Sequence, residues 1–445
     1  MDKGGSSGEF RLFREVFPDG APPRILLSGD IDIGSIRLTD TTLRDGQQGW
    51  RTLTVEEALH LYDVLSELAE GGSIISTELF PYTPRDREII KEIQARGYDY
   101  PKPIGWIRCT RNDVRLAKEA GLEEVVMLAS ISDYHVKYKF GELRSEVFGK
   151  YLDAIQFAYE NDLDVRVTLE DITRADLEGG VIPFILKLVD LAGKYGKMLI
   201  VKLADTLGLG LPFPEVPPPR GIPQVIRRIR EATGLGPGNI EFHGHNDLGL
   251  VVANHLSAWL YGAGLSNCTL FGIGERAGNC PLEVMMVHYV GLTGREANLT
   301  AIKKAAHLVR DMGFNIPEFY PLVGANAFRT KAGIHIDGLM KNPQVYLPFD
   351  PLKVLGIPYS VAVTPHSGRS AVALWMNRYV SPHTGMSYSK NDPVVRETYE
   401  EIVQLFERTK RRHPLTNEEL WSIVAKHVPN LMKIMKEEGI ERVED

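Results

Sequence analysis

The chain has 445 residues, of which 43% are hydrophobic and 24% are charged, and its formal net charge is -7. These ordinary globular values exclude extensive disorder, and the acidic balance argues against non-specific nucleic-acid binding as a main role. The sequence has no run of about 18 apolar residues, so no membrane-spanning helix is expected, and its length suits one α/β barrel of roughly 250 residues with an accessory region.

The hydrophobic pattern divides the chain into four regions. Residues 1–34 include Gly-Gly-Ser-Ser-Gly and no apolar signal core, so we expect a flexible N-terminal lead-in. Residues 35–315 alternate short apolar runs with amphipathic stretches, which is typical of a catalytic barrel. Residues 316–390 show little regular periodicity and are expected to be a linker and accessory subdomain that carries His335 and Tyr346. Residues 391–445 are predicted to be a helical C-terminal region.

Eight apolar runs of strand length occur in residues 35–315. They cover residues 36–40, 74–79, 103–108, 124–128, 164–169, 198–204, 240–243 and 267–271. Eight strand-helix units favour a closed (β/α)8 TIM barrel over a doubly wound sheet, since no Gly-x-Gly-x-x-Gly turn follows the first strand. The clearest helix follows Thr54, which forms a capping box with Glu57, and Gly71 ends its apolar periodicity.

The three cysteines are Cys109, Cys268 and Cys280, with neither a Cys-x-x-Cys pair nor the spacing of a disulfide framework. That usage is typical of the reducing cytoplasm, so a cytoplasmic protein is expected. A nucleophilic Cys280 would need a lowered pKa, and we therefore expect it to be a small buried hydrophobic residue.

Polar residues gather at the predicted carboxyl ends of the strands, where barrel enzymes place their chemistry. They include Arg44, Asp45, Glu78, Arg108, Asp133, Glu170, Asp205, His243, His245 and Glu275. Loops at the other end supply ordinary turn residues, without paired histidine or arginine. The asymmetry favours an active site at the carboxyl ends.

His243 and His245 point to one face if they lie in a strand, because side chains alternate there. Together with Asp45 they offer two imidazoles and a carboxylate, a set that suits Mn, Zn, Co or Mg and leaves positions open for a chelating substrate. Asn279, at the end of a glycine-rich loop, could add an amide oxygen. The alternative is that the histidines only complete a strand end and the aspartate caps a turn.

An open divalent ion with Arg44 beside it is equipped to polarise a ketone and to stabilise the oxygen as it gains charge. The natural ligand of such a centre is a 2-oxo acid, which chelates through its carboxylate and keto oxygens.

These motifs resemble those of the DRE-TIM metallolyase superfamily, and in particular its 2-isopropylmalate and homocitrate synthase family. The resemblance covers about residues 35–370. It rests on residues 40–48, 132–135, 170–171, 205–208, 243–247, 272–279, 333–335 and 367–369.

The resemblance implies a Claisen condensation of acetyl-CoA with a 2-oxo acid, driven by hydrolysis of the thioester. Arg44 would be the electrophilic catalyst, and the metal ligands would be Asp45, His243 and His245 with Asn279 near them. Glu170, His335 and Tyr346 would handle the proton and the thioester carbonyl, with His335 the expected base. The expected substrate-binding residues are Gln48, Arg108, His135 and Thr206. The resemblance also implies a homodimer with exchanged C-terminal parts.

One position departs from the family pattern. Synthases of this group often carry Phe-x-His before the Gly-Ile-His segment, whereas Thr330 occupies the histidine position in Phe328-Arg329-Thr330. His335 is therefore expected to act alone.

The sequence leaves the identity of the 2-oxo acid open. A second carboxylate would need another cation, for which Arg108, Lys137, Lys139 and Arg174 are candidates. Within the family the chain most resembles the Re-citrate synthases, which use oxaloacetate. The homocitrate synthases, which use 2-oxoglutarate, and the 2-isopropylmalate and citramalate synthases remain alternatives.

Other reaction classes each make a sequence requirement. A lyase of the hydroxymethylglutaryl-CoA type needs a cysteine inside the glycine-rich loop, but here Cys280 follows that loop. A biotin-dependent carboxyltransferase would need a lysine at the position directly before Asp205, which is Ala204 in this chain. A non-catalytic ligand-binding barrel would be expected to lack some of the candidate site residues. All of them are present here, namely Arg44, Asp45, Glu170, His243, His245 and His335.

Overall fold

The computed structural model describes residues 20–27, 31–431 and 433. Residues 1–19 and 28–30 of the expected N-terminal lead-in, and residues 432 and 434–445 of the predicted helical C-terminal region, lie outside the described residues. Arg24–Asn315 form one compact unit, and the described parts of Met1–Pro23 and Ile316–Asp445 form the other. In the described part of the chain no helix is both long and apolar enough to cross a membrane.

The first unit is a closed barrel of parallel strands that follow one another in chain order. The strands are β1 Arg37–Asp40, β2 Ile74–Leu79, β3 Lys102–Arg108, β4 Glu124–Ser130, β5 Asp164–Glu170, β6 Leu199–Asp205, β7 Ile240–Gly244 and β8 Leu265–Cys268. The predicted TIM barrel is therefore confirmed. The pairing of Ala204 with His243, and of His243 with Asn267, aligns the carboxyl ends of the last three strands.

The eighth strand differs from the prediction of residues 267–271, because it ends at Cys268. Thr269 pairs instead with the loop that follows, its N–H donating to Cys280 O at 3.0 Å. Leu270–Gly272 then form a tight turn in which Phe271 has a φ of 55°. Leu270 and Phe271 are nevertheless buried. Their apolar side chains continue the hydrophobic pattern of the strand, although the strand itself ends at Cys268.

Eight helices of nine residues or more each follow one strand. They are α1 Val55–Leu68, α2 Pro84–Arg96, α3 Arg111–Glu119, α4 Arg144–Glu160, α5 Ile182–Tyr195, α6 Ile222–Thr233, α7 Val251–Leu260 and α8 Leu282–Thr293. The predicted capping box is confirmed, since Thr54 Oγ1 accepts from Glu57 N at 3.2 Å and Glu57 Oε2 accepts from Thr54 N at 2.8 Å. A further helix, α9 Ala301–Asp311, packs against α1.

The barrel interior carries compensated charges where branched apolar residues are the rule. Lys202 Nζ contacts Glu78 Oε1 and lies 3.4 Å from Glu241 Oε2. Arg166 lies 3.2 Å from Glu241 Oε1 through one nitrogen and contacts Glu124 through another. Because Glu124 begins β4 and Glu78 lies near the end of β2, this chain of ion pairs runs along the inside of the barrel towards the carboxyl ends.

The second unit is mostly helical around a small parallel pair of strands, β9 Arg329–Thr330 and β10 Ser360–Val361. Its helices are α10 Gly333–Lys341, α11 Pro351–Leu355, α12 Gly368–Tyr379, α13 Ser381–Thr384, α14 Pro393–Thr409 and α15 Asn417–His427. Trp375 and Trp421 meet edge to face in its core, with ring centroids 5.4 Å apart.

Candidate active site

The turn after β1 presents Arg44 and Asp45. Asp40, the last residue of β1, organises this turn by accepting from Thr42 N at 3.1 Å and from Thr42 Oγ1 at 2.5 Å. It also accepts from Thr77 Oγ1 at 2.6 Å, which ties the turn to β2. Burial raises the pKa of Asp40 to about 6. Residues 42–46 form a single π-helical turn that buries Arg44 and Asp45 at the end of the barrel.

Asp45, His243 and His245 converge, as the sequence predicted. One ligand atom from each lies within 4.8 Å of the others, and all three residues are buried. The two Nε2 atoms of the histidines are 3.3 Å apart, and His243 Nε2 is 3.6 Å from Asp45 Oδ2. The first and seventh strands therefore bring the three groups to a single point.

Burial favours the neutral form of both histidines, and a hydrogen bond fixes the tautomer of His243. His243 Nδ1 lies 2.8 Å from Asn267 Oδ1, and Asn267 Nδ2 donates to Thr39 Oγ1 at 2.9 Å. Because the Asn267 oxygen can only accept, Nδ1 of His243 carries the proton and Nε2 the lone pair. Burial lowers the pKa of His243 to about 3 and also lowers that of His245.

Asn279 completes the cluster from the glycine-rich loop. Its Nδ2 donates to Asp45 Oδ2 at 2.6 Å, while its buried Oδ1 has no hydrogen-bond partner among the described residues. The backbone of Gly274 lies so close that a Cβ there would overlap Asn279 Oδ1. The loop thus needs glycine at this position so that the amide can reach the cluster.

These residues fit a divalent cation. Two imidazole nitrogens and a carboxylate face one another across the short distances given above, and the Asn279 amide oxygen beside them has no hydrogen-bond partner among the described residues. Although burial acts to raise it, the charge of Arg44 holds the pKa of Asp45 well below its usual range, so the carboxylate is ionised. Such converging negative ends repel one another unless a cation lies between them.

Arg44 is fixed in place by three contacts. Its Nε and NH2 donate to Glu78 Oε2 at 3.1 and 2.9 Å, and its NH1 lies 3.0 Å from Asp45 Oδ1. Its guanidinium carbon also lies 4.8 Å from the ring centroid of Trp106. Burial acts to raise the pKa of Glu78, but Lys202 and Arg44 lower it to about 2, so Glu78 holds Arg44 as a carboxylate.

Glu170 belongs to a second polar cluster at the ends of β4 and β5. It accepts from Ser130 Oγ at 2.5 Å and from Lys139 Nζ at 2.6 Å, and it lies 3.1 Å from His135 Nδ1. Burial opposes ionisation, yet these hydrogen bonds lower the pKa of Glu170 to about 2. His135 and Glu170, both predicted site residues, are therefore in direct contact.

Thr206 lies at the end of β6, where its Oγ1 accepts from Asp171 N at 2.8 Å. Its carbonyl accepts from Arg276 NH2 at 2.6 Å, and Arg276 pairs with Asp247 at 2.8 Å. The Arg276 side chain thereby ties the glycine-rich loop to the end of β6. Gln48 lies three residues after Asp45 with an exposed side chain.

Three of the four candidate specificity cations are paired with carboxylates, while Lys137 is exposed and its Nζ lies 5.1 Å from the centroid of the Tyr138 ring. Arg108 makes a two-point ion pair with Asp113, at 2.9 and 3.0 Å, and two thirds of its side chain is exposed. Arg174 pairs with Asp171 at 2.8 Å. Lys139 is bound to Glu170, as described above. A substrate carboxylate at Arg108 or Arg174 would have to compete with a carboxylate of the protein.

His335 and Tyr346 lie in the second unit, where their rings are in contact with centroids 4.4 Å apart. Both side chains are exposed, His335 from the start of α10 and Tyr346 just after residues 343–345. Thr330 lies in β9.

Sequence reasoning missed several residues that organise the site. It placed Glu78 at a strand end but gave it no role, and it assigned no site role to Asn267, Lys202 or Trp106. A lysine inside the apolar run of β6 was an available signal, because an unpaired buried lysine is costly. Cys280 is buried, as predicted, and burial raises the pKa of its thiol, which disfavours a nucleophilic role.

Comparison with known proteins extends over both units. Residues 35–309 match the HMGL-like family, and residues 322–410 match the family described as homocitrate synthase post-HMGL domain-like. The chain is similar to the citrate (Re)-synthase of Clostridium kluyveri, with 36% identity over 96% of each chain. It is also similar to the 2-phosphinomethylmalate synthase of Streptomyces hygroscopicus, with 38% identity over 87% of this chain and 90% of that one.

Among solved structures, the hydroxymethylglutaryl-CoA lyase from Pseudomonas aeruginosa superimposes with a TM-score of 0.50 and 17% identity. It covers 63% of this chain and 94% of the lyase, and at that identity the similarity shows the fold alone.

Proposed function

Because the chain belongs to the HMGL-like family, we propose that it condenses acetyl-CoA with a 2-oxo acid, and that this acid is oxaloacetate. Acetyl-CoA, oxaloacetate and water would give citrate, free CoA and a proton. The observation that carries the proposal is the convergence of Asp45, His243 and His245 beside Arg44. The identity of the substrate rests on the similarity to the citrate (Re)-synthase.

Asp45, His243 and His245 would hold the divalent ion, with Asn279 at its edge. A divalent ion there supplies Lewis-acid chemistry, which draws electron density from the ketone of a 2-oxo acid. Mn, Mg, Zn and Co all accept this donor set. The donor set does not choose among these four metals, and the assay below uses Mn2+ or Mg2+.

Arg44 is the group that meets the ketone oxygen. Its guanidinium is held by Glu78 and Asp45, so its direction is set before the substrate arrives. Fixed donors of this kind stabilise an oxygen that gains negative charge without having to reorganise during the reaction. Thr206 accepts from Asp171 N and donates over 3.4 Å to Ala204 O, and its hydroxyl would turn from that carbonyl to donate to the substrate carboxylate.

The proton at the methyl group of acetyl-CoA needs a base with a pKa near neutrality. Glu170 is a poor candidate, because a pKa of about 2 makes it a weak base. We propose that Glu170 and His135 orient the substrate and that His335 takes the proton. Tyr346, whose ring contacts His335, would then face the thioester carbonyl.

His335 and Tyr346 belong to the second unit, and we propose that this unit serves the barrel of a partner subunit in a homodimer. We also propose a cytoplasmic location, which agrees with three free cysteines, all buried, and the absence of a membrane-crossing helix among the described residues.

The test is to incubate the purified protein with Mn2+ or Mg2+, acetyl-CoA and one 2-oxo acid at a time, and to follow the release of the CoA thiol. The fastest release is expected with oxaloacetate, with citrate as product. The panel should include 2-oxoglutarate, 2-oxoisovalerate and pyruvate. If none of these 2-oxo acids leads to thiol release, the proposed reaction class is contradicted.

Homocitrate synthase is the second candidate function. The match of residues 322–410 to the homocitrate synthase post-HMGL domain-like family favours it. A clear preference for 2-oxoglutarate over oxaloacetate in the same assay would move the assignment there.

A further inference from the structure

A second cluster of metal-binding side chains lies outside the candidate active site. It consists of His255 in α7, Cys268 in β8 and Cys280 in the loop before α8, with one ligand atom of each within 4.8 Å of the others. All three residues have an exposed fraction of 0%. Asn267 points into the barrel to contact His243, so its strand neighbour Cys268 points outwards, towards the helices. The cluster is therefore behind the barrel wall.

The histidine of this cluster is oriented for ligation. His255 Nδ1 lies 2.6 Å from Ser266 Oγ, and that hydroxyl lies 3.4 Å from Cys268 Sγ. If the Ser266 hydroxyl donates to the sulfur and accepts from Nδ1, the lone pair of His255 is on Nε2. An imidazole whose other nitrogen is fixed by a hydrogen bond is the usual form of a metal-binding histidine.

The Nε2 atom of His255 is buried and has no hydrogen-bond partner in the part of the chain that the structure describes. Leaving such an atom unpaired costs about 1–3 kcal/mol, so native structures seldom do it without a reason. The ring is also confined, because it packs edge to face on Phe242 with centroids 4.8 Å apart. Gly244 leaves it room, since a Cβ there would come within 3.3 Å of Nε2.

We propose that His255, Cys268 and Cys280 bind a zinc ion that is separate from the catalytic metal. One imidazole and two thiolates are a donor set that zinc uses in proteins, with a fourth position for another ligand. On binding, each thiol loses its proton to solvent and each sulfur forms a bond to the ion. The charges of Zn2+ and two thiolates then sum to zero, which suits a site with no exposure to water.

The ion would stabilise the loop of the active site. Cys280 follows Asn279 directly, and Asn279 donates to Asp45. Binding Cys280 to Cys268 and His255 through one ion would attach this loop to β8 and α7. The zinc ion therefore has a structural role, and it does not contact substrate.

Cobalt distinguishes the two sites, because only thiolate ligands give Co2+ an intense charge-transfer band in the near ultraviolet. The active-site cluster contains a carboxylate and imidazoles, with no cysteine. The experiment is to produce the full chain with Co2+ in place of Zn2+, and to measure its absorption and its cobalt content per chain. The expected result is a thiolate band whose intensity corresponds to one thiolate-bound cobalt ion per chain.

Four variants complete the test. Cys280→Ser and His255→Gln should both lose the cobalt of the cluster and, with it, most of the thiolate band. Cys109→Ser, which changes a buried cysteine outside the cluster, should keep both, and Asp45→Ala should keep the band while it loses turnover. The last variant also separates this proposal from the proposed function.

Three results would overturn the proposal. One is wild-type protein with no thiolate band when cobalt is present in excess. Another is a band that persists unchanged in Cys280→Ser. The third is a disulfide between Cys268 and Cys280 in protein kept under reducing conditions. If Cys280→Ser fails to fold, the band and cobalt content of the wild-type protein decide the question alone.

Discussion

The Nε2 atoms of His243 and His245 lie 3.3 Å apart at the end of the seventh strand. Because His243 keeps its proton on Nδ1, its Nε2 offers a lone pair at this contact. Two imidazole nitrogens at this distance, with the Asp45 carboxylate beside them, are a donor set that suits a divalent cation. The proposed metal chemistry depends on this contact between His243 and His245.

Replacing Asn267 should weaken metal binding without removing a ligand. Its Oδ1 fixes the tautomer of His243, and its Nδ2 donates to Thr39. Residues that orient a metal-binding histidine typically contribute 10–100-fold in affinity, and we expect a loss of about that size for Asn267→Ala. Titration with Mn2+ measures it. Asn254→Ala, which alters another buried asparagine, should bind Mn2+ as the wild-type chain does.

Arg44→Lys should keep metal binding but lose turnover. A lysine has no planar fork to bridge Glu78 and Asp45 as the guanidinium does. Loss of one fixed donor at a developing oxyanion lowers kcat by roughly 10²–10³, so a fall of this order is expected. The steady-state rate of thiol release gives the value. A variant with kcat near that of the wild type would remove Arg44 from the mechanism.

Lys202→Met should destabilise the barrel. The substitution leaves Glu78 and Glu241 as buried carboxylates without their shared cation. Breaking a buried ion pair from one side costs roughly 3–5 kcal/mol, which urea unfolding would detect. Lys304→Met, which breaks an exposed pair with Glu67, is the control and should change the unfolding free energy little.

Glu170 should make stability depend on acid pH. The pKa is about 2 in the folded chain against an ordinary value of 4.5. A lowered folded-state pKa contributes stability that is complete above pH 4.5 and is lost as pH falls towards 2, to a total of about 3 kcal/mol. The unfolding free energy of the wild-type chain should therefore fall more steeply between pH 5 and pH 3 than that of Glu170→Gln. Parallel curves for the two proteins would contradict the assignment.

The barrel and the convergence of Asp45, His243 and His245 were predictable because they depend on local patterns. Alternating apolar runs located all eight strands, and Asp45, His243 and His245 each follow or end a strand at the carboxyl side. A closed parallel barrel brings those ends together whatever the sequence distance between them. The position of Asp45 relative to the histidines was therefore a consequence of the fold class.

The supporting residues were not predictable in the same way. The roles of Asn267 and Glu78 depend on the register across β7, β8 and β2, which no single segment specifies. Arg108 carried a local warning, since Asp113 lies five residues further on and captures its guanidinium. The cluster of His255, Cys268 and Cys280 likewise forms only when β8 closes the barrel.

The most direct test of the central claim is Mn2+ binding and thiol release in Asp45→Ala beside the wild-type chain. The wild-type protein should bind Mn2+ and release CoA thiol with oxaloacetate. Asp45→Ala should lose both properties while it keeps the circular dichroism of the folded barrel. A folded Asp45→Ala variant that binds Mn2+ and turns over at the wild-type rate would contradict the account.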